Sequence, residues 1–508
     1  RQKRKIFSVK RSALIGSKTF VQLSKERKQP SIRAGFSILV GNMVNAIANG
    51  AKSFYQLIRL YPSVIFSLLI ILLLITGSVY AVAVMPYGSI GEEWLGSTMT
   101  GQPMVPKLAV PQWVNFFRVN DLLSRIMLDS SQGDGEVSST NWNGTSAQRS
   151  ITFTFDYDHQ DFPTEVFLYL DGEYSLRKYF VIPVWITPDG REIQLKGTSL
   201  STGTMLPIGD AINPRRWVEK DAAWQKWFTF GQIYPTPAHF VLFAQPGNEK
   251  AEVMRGKYTL RLDGITFEEG NDIKARLVIL GSVFGLAGTD HYRRDLAAPL
   301  LWGMPIALGV GLLGSLITTS LSIIFAAAGV WYGGWVDDLV QRITEINLIL
   351  PVLAISVLAY AYLHVSLWVI IAIIVLLNTF GSPTKNFRSA FISIKSAEYI
   401  EAAIAYGASN MRVIIRYMVP RLIPTIIPQL IVLIPTFVFL EVSLGLFNIS
   451  LGYPTWGTLI TEAIRNNALY YGQHRLLEPL ALVLLTGISF SLFGFTLERI
   501  LNPRLLRQ

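Results

Sequence analysis

Apolar positions along this chain gather into one early run and five late ones, with a long stretch of alternating polar and apolar residues between them. Pro62–Met85 reads PSVIFSLLIILLLITGSVYAVAVM without a charge, about 24 residues or roughly 36 Å of helix, enough to cross a bilayer. The late runs are Leu300–Val330, Ile343–Tyr362, Ser366–Phe380, Leu422–Leu444 and Pro479–Leu497, of which Ser366–Phe380 is the shortest. Six spans place residues 1–61 and the tail 500–508 on the same side. The positive-inside rule makes that side the cytoplasm. Residues 1–61 hold 13 Lys/Arg against one acid, Glu26, and Lys385, Arg388, Lys395, Arg412, Arg416 and Arg421 fall in a second inside loop.

The same count sends residues 86–287 outside. ITFTFDYD (Ile151–Asp158), EVFLYL (Glu165–Leu170), YFVIPVWIT (Tyr179–Thr187), EIQLKG (Glu192–Gly197), KYTLRLDGITF (Lys257–Phe267) and IKARLVIL (Ile273–Leu280) carry the period of two, or the β-branched and aromatic runs, of strands. Asp171-Gly172, Pro188-Asp189-Gly190 and Asp263-Gly264 read as turns. Short strands at this density predict a sandwich-like β domain inserted between the first and second spans. Seven of the 12 Trp residues fall in it (94, 113, 142, 185, 217, 224 and 227), and are read as packing for its core and rim. The fold class is therefore an all-α membrane bundle of six helices with a β-rich insert.

Composition sharpens that picture. Charged residues are 16% of the chain, against about 25% in soluble proteins. Without a cysteine there is no disulfide, thiolate metal site or thiol nucleophile. The block before the first span carries +12, from 13 Lys/Arg and one Glu, which exceeds the net charge of +10 for the whole chain. There it reads as a flank for anionic membrane lipid, with an interfacial elbow helix over Ala34–Leu60, and not as a nucleic-acid arm. The five histidines lack ligand spacing, no Ser/His/Asp set has a motif around it, and no GxxxxGK[ST] loop occurs, so neither a metal site nor a catalytic or nucleotide-cradling site is predicted.

The loop between the fourth and fifth spans carries the strongest local signal. SAEYIEAAIAYGASNMRVIIRYMVPRLIP runs from Ser396 to Pro424. Ser396 is placed to cap a helix whose early acids, Glu398 and Glu401, suit the positive end of its dipole. Ile400, Ala403, Ile404 and Gly407 share one face at helical spacing, and Gly407 is a natural stop, with a second cap at Ser409. A second short helix, Asn410–Val419, then sets Arg412 and Arg416 against Met411, Ile414, Ile415 and Met418 and ends at Pro420. The product is a helix–glycine turn–helix knuckle with small residues at its bend.

Glu401-Ala402-Ala403 with Gly407, Ile415 and Pro420 resembles the coupling loop of permease subunits in binding-protein-dependent ABC importers. Gly288-Thr289-Asp290, Arg294-Asp295, Tyr332-Gly333-Gly334-Trp335-Val336-Asp337 with Arg342, and Pro351 extend that resemblance. So do Glu441-Val442-Ser443-Leu444, Pro454-Thr455-Trp456-Gly457 and Asn502-Pro503-Arg504, all toward the second permease of dipeptide, oligopeptide and nickel importers. Two departures stand out: Arg293 replaces the pattern's usual Gly, and a short outer loop is replaced by residues 86–287. The resemblance implies a non-catalytic transport subunit of a bacterial inner membrane. Its partners would be a second permease, two ATPase subunits that hold ATP and magnesium, and an extracytoplasmic substrate-binding protein. It implies ATPase coupling at Glu401, Ala402, Ala403, Gly407, Ala408 and Ser409 within 396–420, and a permease core over 288–499. Peptide is the commonest cargo of such systems. Glu441, an acid ending an apolar run, is either a candidate lining of the translocation path or a structural group.

Two other classes compete. A membrane sensor predicts one or two spans and an inside signalling domain, and a membrane-anchored enzyme predicts a catalytic constellation in residues 86–287. The chain shows neither.

Overall fold

The computed structural model describes residues 62–85, 104–140, 146–172, 178, 180–199, 203–211, 239–245, 252–267, 273–363, 367–447, 449 and 454–501. The elbow helix and basic block, Trp94, Trp142, Trp217, Trp224, Trp227, His364 and the motif at 502–504 lie outside these residues. Two compact units divide the chain, Arg1–Phe66 and Ser67–Gln508. Only the opening of one helix is described in the first.

Strand-forming residues follow the helix α1 (Pro62–Val84). They build β1 (Arg125–Asp129), β2 (Gly135–Ser139), β3 (Ala147–Tyr157), β4 (Glu165–Gly172), β5 (Phe180–Ile186), β6 (Glu192–Gln194), β7 (Thr198–Ser199), β8 (Thr204–Pro207), β9 (Gly256–Thr266) and β10 (Ile273–Leu280). All pairings between them are antiparallel. One sheet runs β1-β10-β4-β8 and the other β2-β3-β9-β5-β6, with β7 added to β5. Alternation does the work predicted of it: Ile151, Phe153, Phe155 and Tyr157 of β3 and Tyr258, Leu260 and Leu262 of β9 point inward. They meet Leu168, Leu170, Leu277 and Ile279 of the facing sheet in one core. Trp185 is fully buried there, its ring centroid 5.8 Å from Phe155 and 5.3 Å from Phe243, the edge-on geometry that aromatic quadrupoles favour.

Three sequence expectations need correction here. Asp263-Gly264 is no turn but lies within β9, where a side chain at 264 would press on Ile273 and the Arg149 carbonyl. The strand expected over Glu192–Gly197 stops at Gln194. The strands β1, β2, β7 and β8 were not foreseen, because GEVSS and similar edge sequences are short and carry little apolar alternation.

The helices are α2 (Ala297–Tyr332), α3 (Gly334–Ile349), α4 (Val352–Leu363), α5 (Leu367–Thr379), α6 (Ser382–Lys395), α7 (Glu398–Ala405), α8 (Asn410–Leu446), α9 (Trp456–Arg465) and α10 (His474–Leu501). Among the described residues, α1, α2, Trp368–Lys395, α8 and α10 are long and apolar enough to span, and α3 with α4 makes a sixth as a bent pair. The chain is a multi-pass membrane protein. Small residues set the helix contacts, as expected where lipid gives no hydrophobic drive. Gly77 of α1 lies against Met304, and Gly311 and Gly314 of α2 admit Ile434 and Phe437 of α8.

Three spans differ from their predicted form. The third is bent by 82° between α3 and α4. Pro351 removes a donor and pushes Leu350 to an extended backbone, φ −76° and ψ 129°. The short fourth run is lengthened by α6 to Trp368–Lys395. The predicted separate helix Asn410–Val419 does not exist as such, since it runs unbroken into the fifth span. A π-helical turn over Val413–Met418 precedes Pro420, so the chain passes the proline without leaving the helix.

Candidate functional site

The knuckle starts where α6 ends. Lys395 donates from Nζ to the Val330 carbonyl at 2.6 Å, closing the C-terminus of α2. Ser396 is not the predicted cap of α7. It ends α6 and bonds back to the Ser393 carbonyl at 3.2 Å, leaving Ala397 at the N-cap position. Glu398 and Glu401 do occupy the first turn of α7.

Gly407 terminates α7 with φ +78°. Its N–H bonds Ile404 and the Ala408 N–H bonds Ala403, at 2.9 and 3.1 Å, the paired bonds of a left-handed glycine stop. Ser409 follows at the N-cap position of α8, without a side-chain cap bond.

The predicted coupling residues divide by face. Ile400 and Ala403 are buried with Phe387, Phe391, Val413, Ile414 and Met418, and Ala408 packs on them. Glu401, Ala402, Gly407 and Ser409 face outward. Ile404, expected to share a face with Ile400 and Ala403, is half exposed while they are buried, and Tyr406, Met411 and Ile415 lie open at 92%, 62% and 64%. The turn is thus anchored on one side and leaves apolar side chains uncovered on the other.

At the end of the bundle that carries the β domain, the turn before α2 forms a polar node. Gly288 has φ +67°, and a Cβ there would meet the Ala109 carbonyl and the His474 ring. Buried Thr289 donates from Oγ1 to the Pro106 carbonyl at 2.7 Å and accepts from Ala109 N–H at 2.9 Å. Asp290 accepts from the N–H of Tyr292 and of Arg294 and from Arg294 Nε, and Arg294 also pairs with Glu462 of α9. Arg475 Nη1 lies 3.3 Å from His291 Nδ1 and its guanidinium donates to the carbonyls of Asn466, Tyr471 and Gly472. Burial holds the His291 pKa below its ordinary value.

Asp290, His291 and Glu462 bring ligand atoms within 4.8 Å of one another, a grouping that sequence spacing did not reveal. Arg294 engages both carboxylates, so a cation already sits between them. Arg293, the departure from the family's glycine, adopts φ +67° and so keeps the backbone form a glycine would take.

Trp456 opens α9 from a fully buried position, donating from Nε1 to the Leu300 carbonyl at 3.0 Å. Gly445 and Gly457 sit backbone to backbone beside it. Glu441 reaches the N-cap residue Thr455, and its Oε2 is shielded without a partner. An apolar groove of about 930 Å3 opens between α2 and α5, lined by Pro305, Gly309, Leu313, Ile317, Trp368 and Val375 among others, and Glu441 is not in its lining.

Residues 318–507 match the family described as binding-protein-dependent transport system inner membrane component. The dipeptide transport permease DppC of Bacillus subtilis is 28% identical over 222 residues, 43% of this chain and 69% of that protein. OppC, the oligopeptide permease of the same organism, is 26% identical over 43% of this chain and 71% of its own length. The glutathione transport permease GsiD of Shigella dysenteriae serotype 1 is 27% identical over 43% and 72%. A chain of the inward-facing MetNI methionine ABC transporter aligns at 16% identity and a TM-score of 0.31, over 40% of this chain and 98% of that one, too loose a superposition to bear an argument. Over residues 318–507 the chain is therefore similar to binding-protein-dependent transport permeases. The three relatives are each transport system permease proteins.

Proposed function

We propose that this chain moves a di- or oligopeptide-class solute inward, driven by two separate ATPase subunits that grip the knuckle at 396–420 from the cytoplasm. The reading rests on one observation above others: α7 and its glycine stop are held rigidly from below, while Glu401, Ala402 and Gly407 are presented outward among uncovered Ile404, Tyr406, Met411 and Ile415. Glu401 pairs with a basic residue of the ATPase, and Gly407 permits close approach. ATP and magnesium are held by the partners. A second permease subunit covers the groove between α2 and α5. Both ends of the chain lie in the cytoplasm of a bacterium, and a substrate-binding protein delivers cargo on the side of the β domain.

Nucleotide-driven closure of the ATPases pushes the knuckles together and rocks the bundle between inward- and outward-facing states. Shifting such an equilibrium from 1:99 to 99:1 takes about 5.5 kcal/mol of differential binding, within reach of ATP binding. Peptide is favoured as cargo because the relatives carry dipeptide, oligopeptide and glutathione in their names. Glu441 is assigned to the joint between α8 and α9, since its neighbour is Thr455 and not the groove.

The test is uptake of radiolabelled di-, tri- and pentapeptides into vesicles bearing the assembled complex, with and without ATP. ATP-dependent accumulation of one size class is expected. Equal uptake without ATP would sink the proposal.

A further inference from the structure

The β domain could be expected to hang loosely from the bundle, because relative motion is the default for domains joined by short linkers. Its link to α2 is Gly281–Arg294, which includes Gly285 at φ +57° and Gly288 at φ +67°. Arg293 changes that expectation. It stands in the left-handed region at φ +67°, a conformation unfavourable for a long side chain, so compensation is to be sought in what the side chain does.

The Arg293 guanidinium makes a two-point pair with Glu165, Nη1 to Oε2 at 2.6 Å and Nη2 to Oε1 at 2.7 Å. Nη1 also donates to the Val105 carbonyl at 2.9 Å, and the group lies 5.6 Å from the centroid of the Phe167 ring. Phe167 belongs to a small apolar cluster with Tyr169, Val278 and Leu280 on the face of the four-stranded sheet away from the main core. Glu165 opens β4 and is paired in register with Leu280, the last residue of β10. The chain thus leaves the sheet at Leu280, turns, and is fastened back to the residue beside its point of departure. Two bonds in a planar fork fix direction as well as distance. The next residue, Arg294, bonds Glu462 of α9, while the Thr289 carbonyl accepts from His474 Nε2 at the head of α10 at 3.1 Å.

We propose that Glu165 and Arg293 form a latch that makes the β domain one rigid body with the heads of α2, α9 and α10. Arg293 is then a positioning residue for transport: a protein docked on the β domain acts directly on the spanning helices. The docking clause rests on the importer reading above; the latch itself does not.

The chain has no cysteine, so Thr154→Cys in β3 and Tyr470→Cys beyond α9, both exposed, can be spin-labelled without altering the background. Distances between them are measured in the full chain in lipid nanodiscs. A narrow distribution is expected, broadening roughly twofold in Arg293→Gly and in Glu165→Gln as the domain regains its default freedom. Arg293→Gly suits the left-handed backbone and leaves the turn unstrained. The swapped pair Glu165→Arg with Arg293→Glu should restore part of the narrowness, which a loss of folding would not.

Unchanged widths in both single variants would overturn the latch. In the complex with its ATPase subunits, breaking the latch should lower ATP hydrolysis stimulated by the binding protein severalfold, with the half-saturating concentration moving less than about twofold. Absence of any stimulation in the unaltered complex, with the distances still broadening, would remove the importer reading and leave the latch standing.

Discussion

Asp337 and Arg388 form a two-point ion pair, Nε to Oδ1 at 2.8 Å and Nη2 to Oδ2 at 2.5 Å, that fastens the start of α3 to α6. An aspartate next to a second one, Asp338, just after a Gly-Gly pair would ordinarily face water. Instead the carboxylate is mostly buried beside Gly329, and the pair braces the helix from which the knuckle emerges. Removing one partner strands the other charge. Arg388→Ala is expected to cost about 2–4 kcal/mol, and Asp337→Asn with Arg388→Gln together less than either alone. Thermal unfolding of the detergent-purified variants measures this as a double-mutant cycle.

Trp456 supplies the largest packing prediction. It is fully buried between α2, α8 and α9, and a Cβ at Gly303 would run into its ring. Trp456→Ala should cost about 3–5 kcal/mol through the cavity it leaves. Trp456→Phe should cost less, with about 1 kcal/mol of that from the lost bond to the Leu300 carbonyl. Both are read from the unfolding midpoint.

Acid should loosen the node before α2. Burial lowers the His291 pKa, and Arg475 and Arg294 lower it further, against an opposing pull from Asp290. The folded value lies below the unfolded one near 6.5, so the unfolded chain takes up the proton first. The stability contribution is complete above about pH 6.5 and falls as pH drops toward the folded pKa. Unfolding midpoints between pH 8 and pH 5.5 should decline, and His291→Gln should flatten that decline. His239, buried against the Pro163 carbonyl at 3.0 Å, has a pKa lowered by burial too and accounts for slope that remains.

What the sequence disclosed and what it hid follow from the range of the forces involved. Apolar period and length marked the spans and the five longest strands, β3, β4, β5, β9 and β10, because burial acts on every residue of an element. The glycine stop at 407 was legible because its backbone requirement is local. Ser396 was misplaced because two helix ends compete for one hydroxyl, and sequence does not say which wins. Proline at 351 broke its span whereas proline at 420 did not, the difference being a π-helical turn that no spacing rule announces. The contacts of Arg294 with Glu462, Asp337 with Arg388 and Arg293 with Glu165 join residues far apart in the chain. Only the fold brings them together.

The knuckle is the part of the account most exposed to refutation. Glu401 is exposed on α7 with no ion pair among the described residues, so Glu401→Lys should leave the unfolding midpoint within about 0.5 kcal/mol of the parent. Gly407→Asp adds backbone strain at φ +78° in open space, for a cost of about 1 kcal/mol.

The direct measurement is affinity purification of the permease with its ATPase subunits, followed by ATP hydrolysis in nanodiscs, for the parent chain and for Glu401→Lys. Loss of the ATPase subunits from a folded Glu401→Lys bundle is the predicted result. Full retention of those subunits, with hydrolysis at the parent rate, would contradict the assignment of residues 396–420 as the site where force is received.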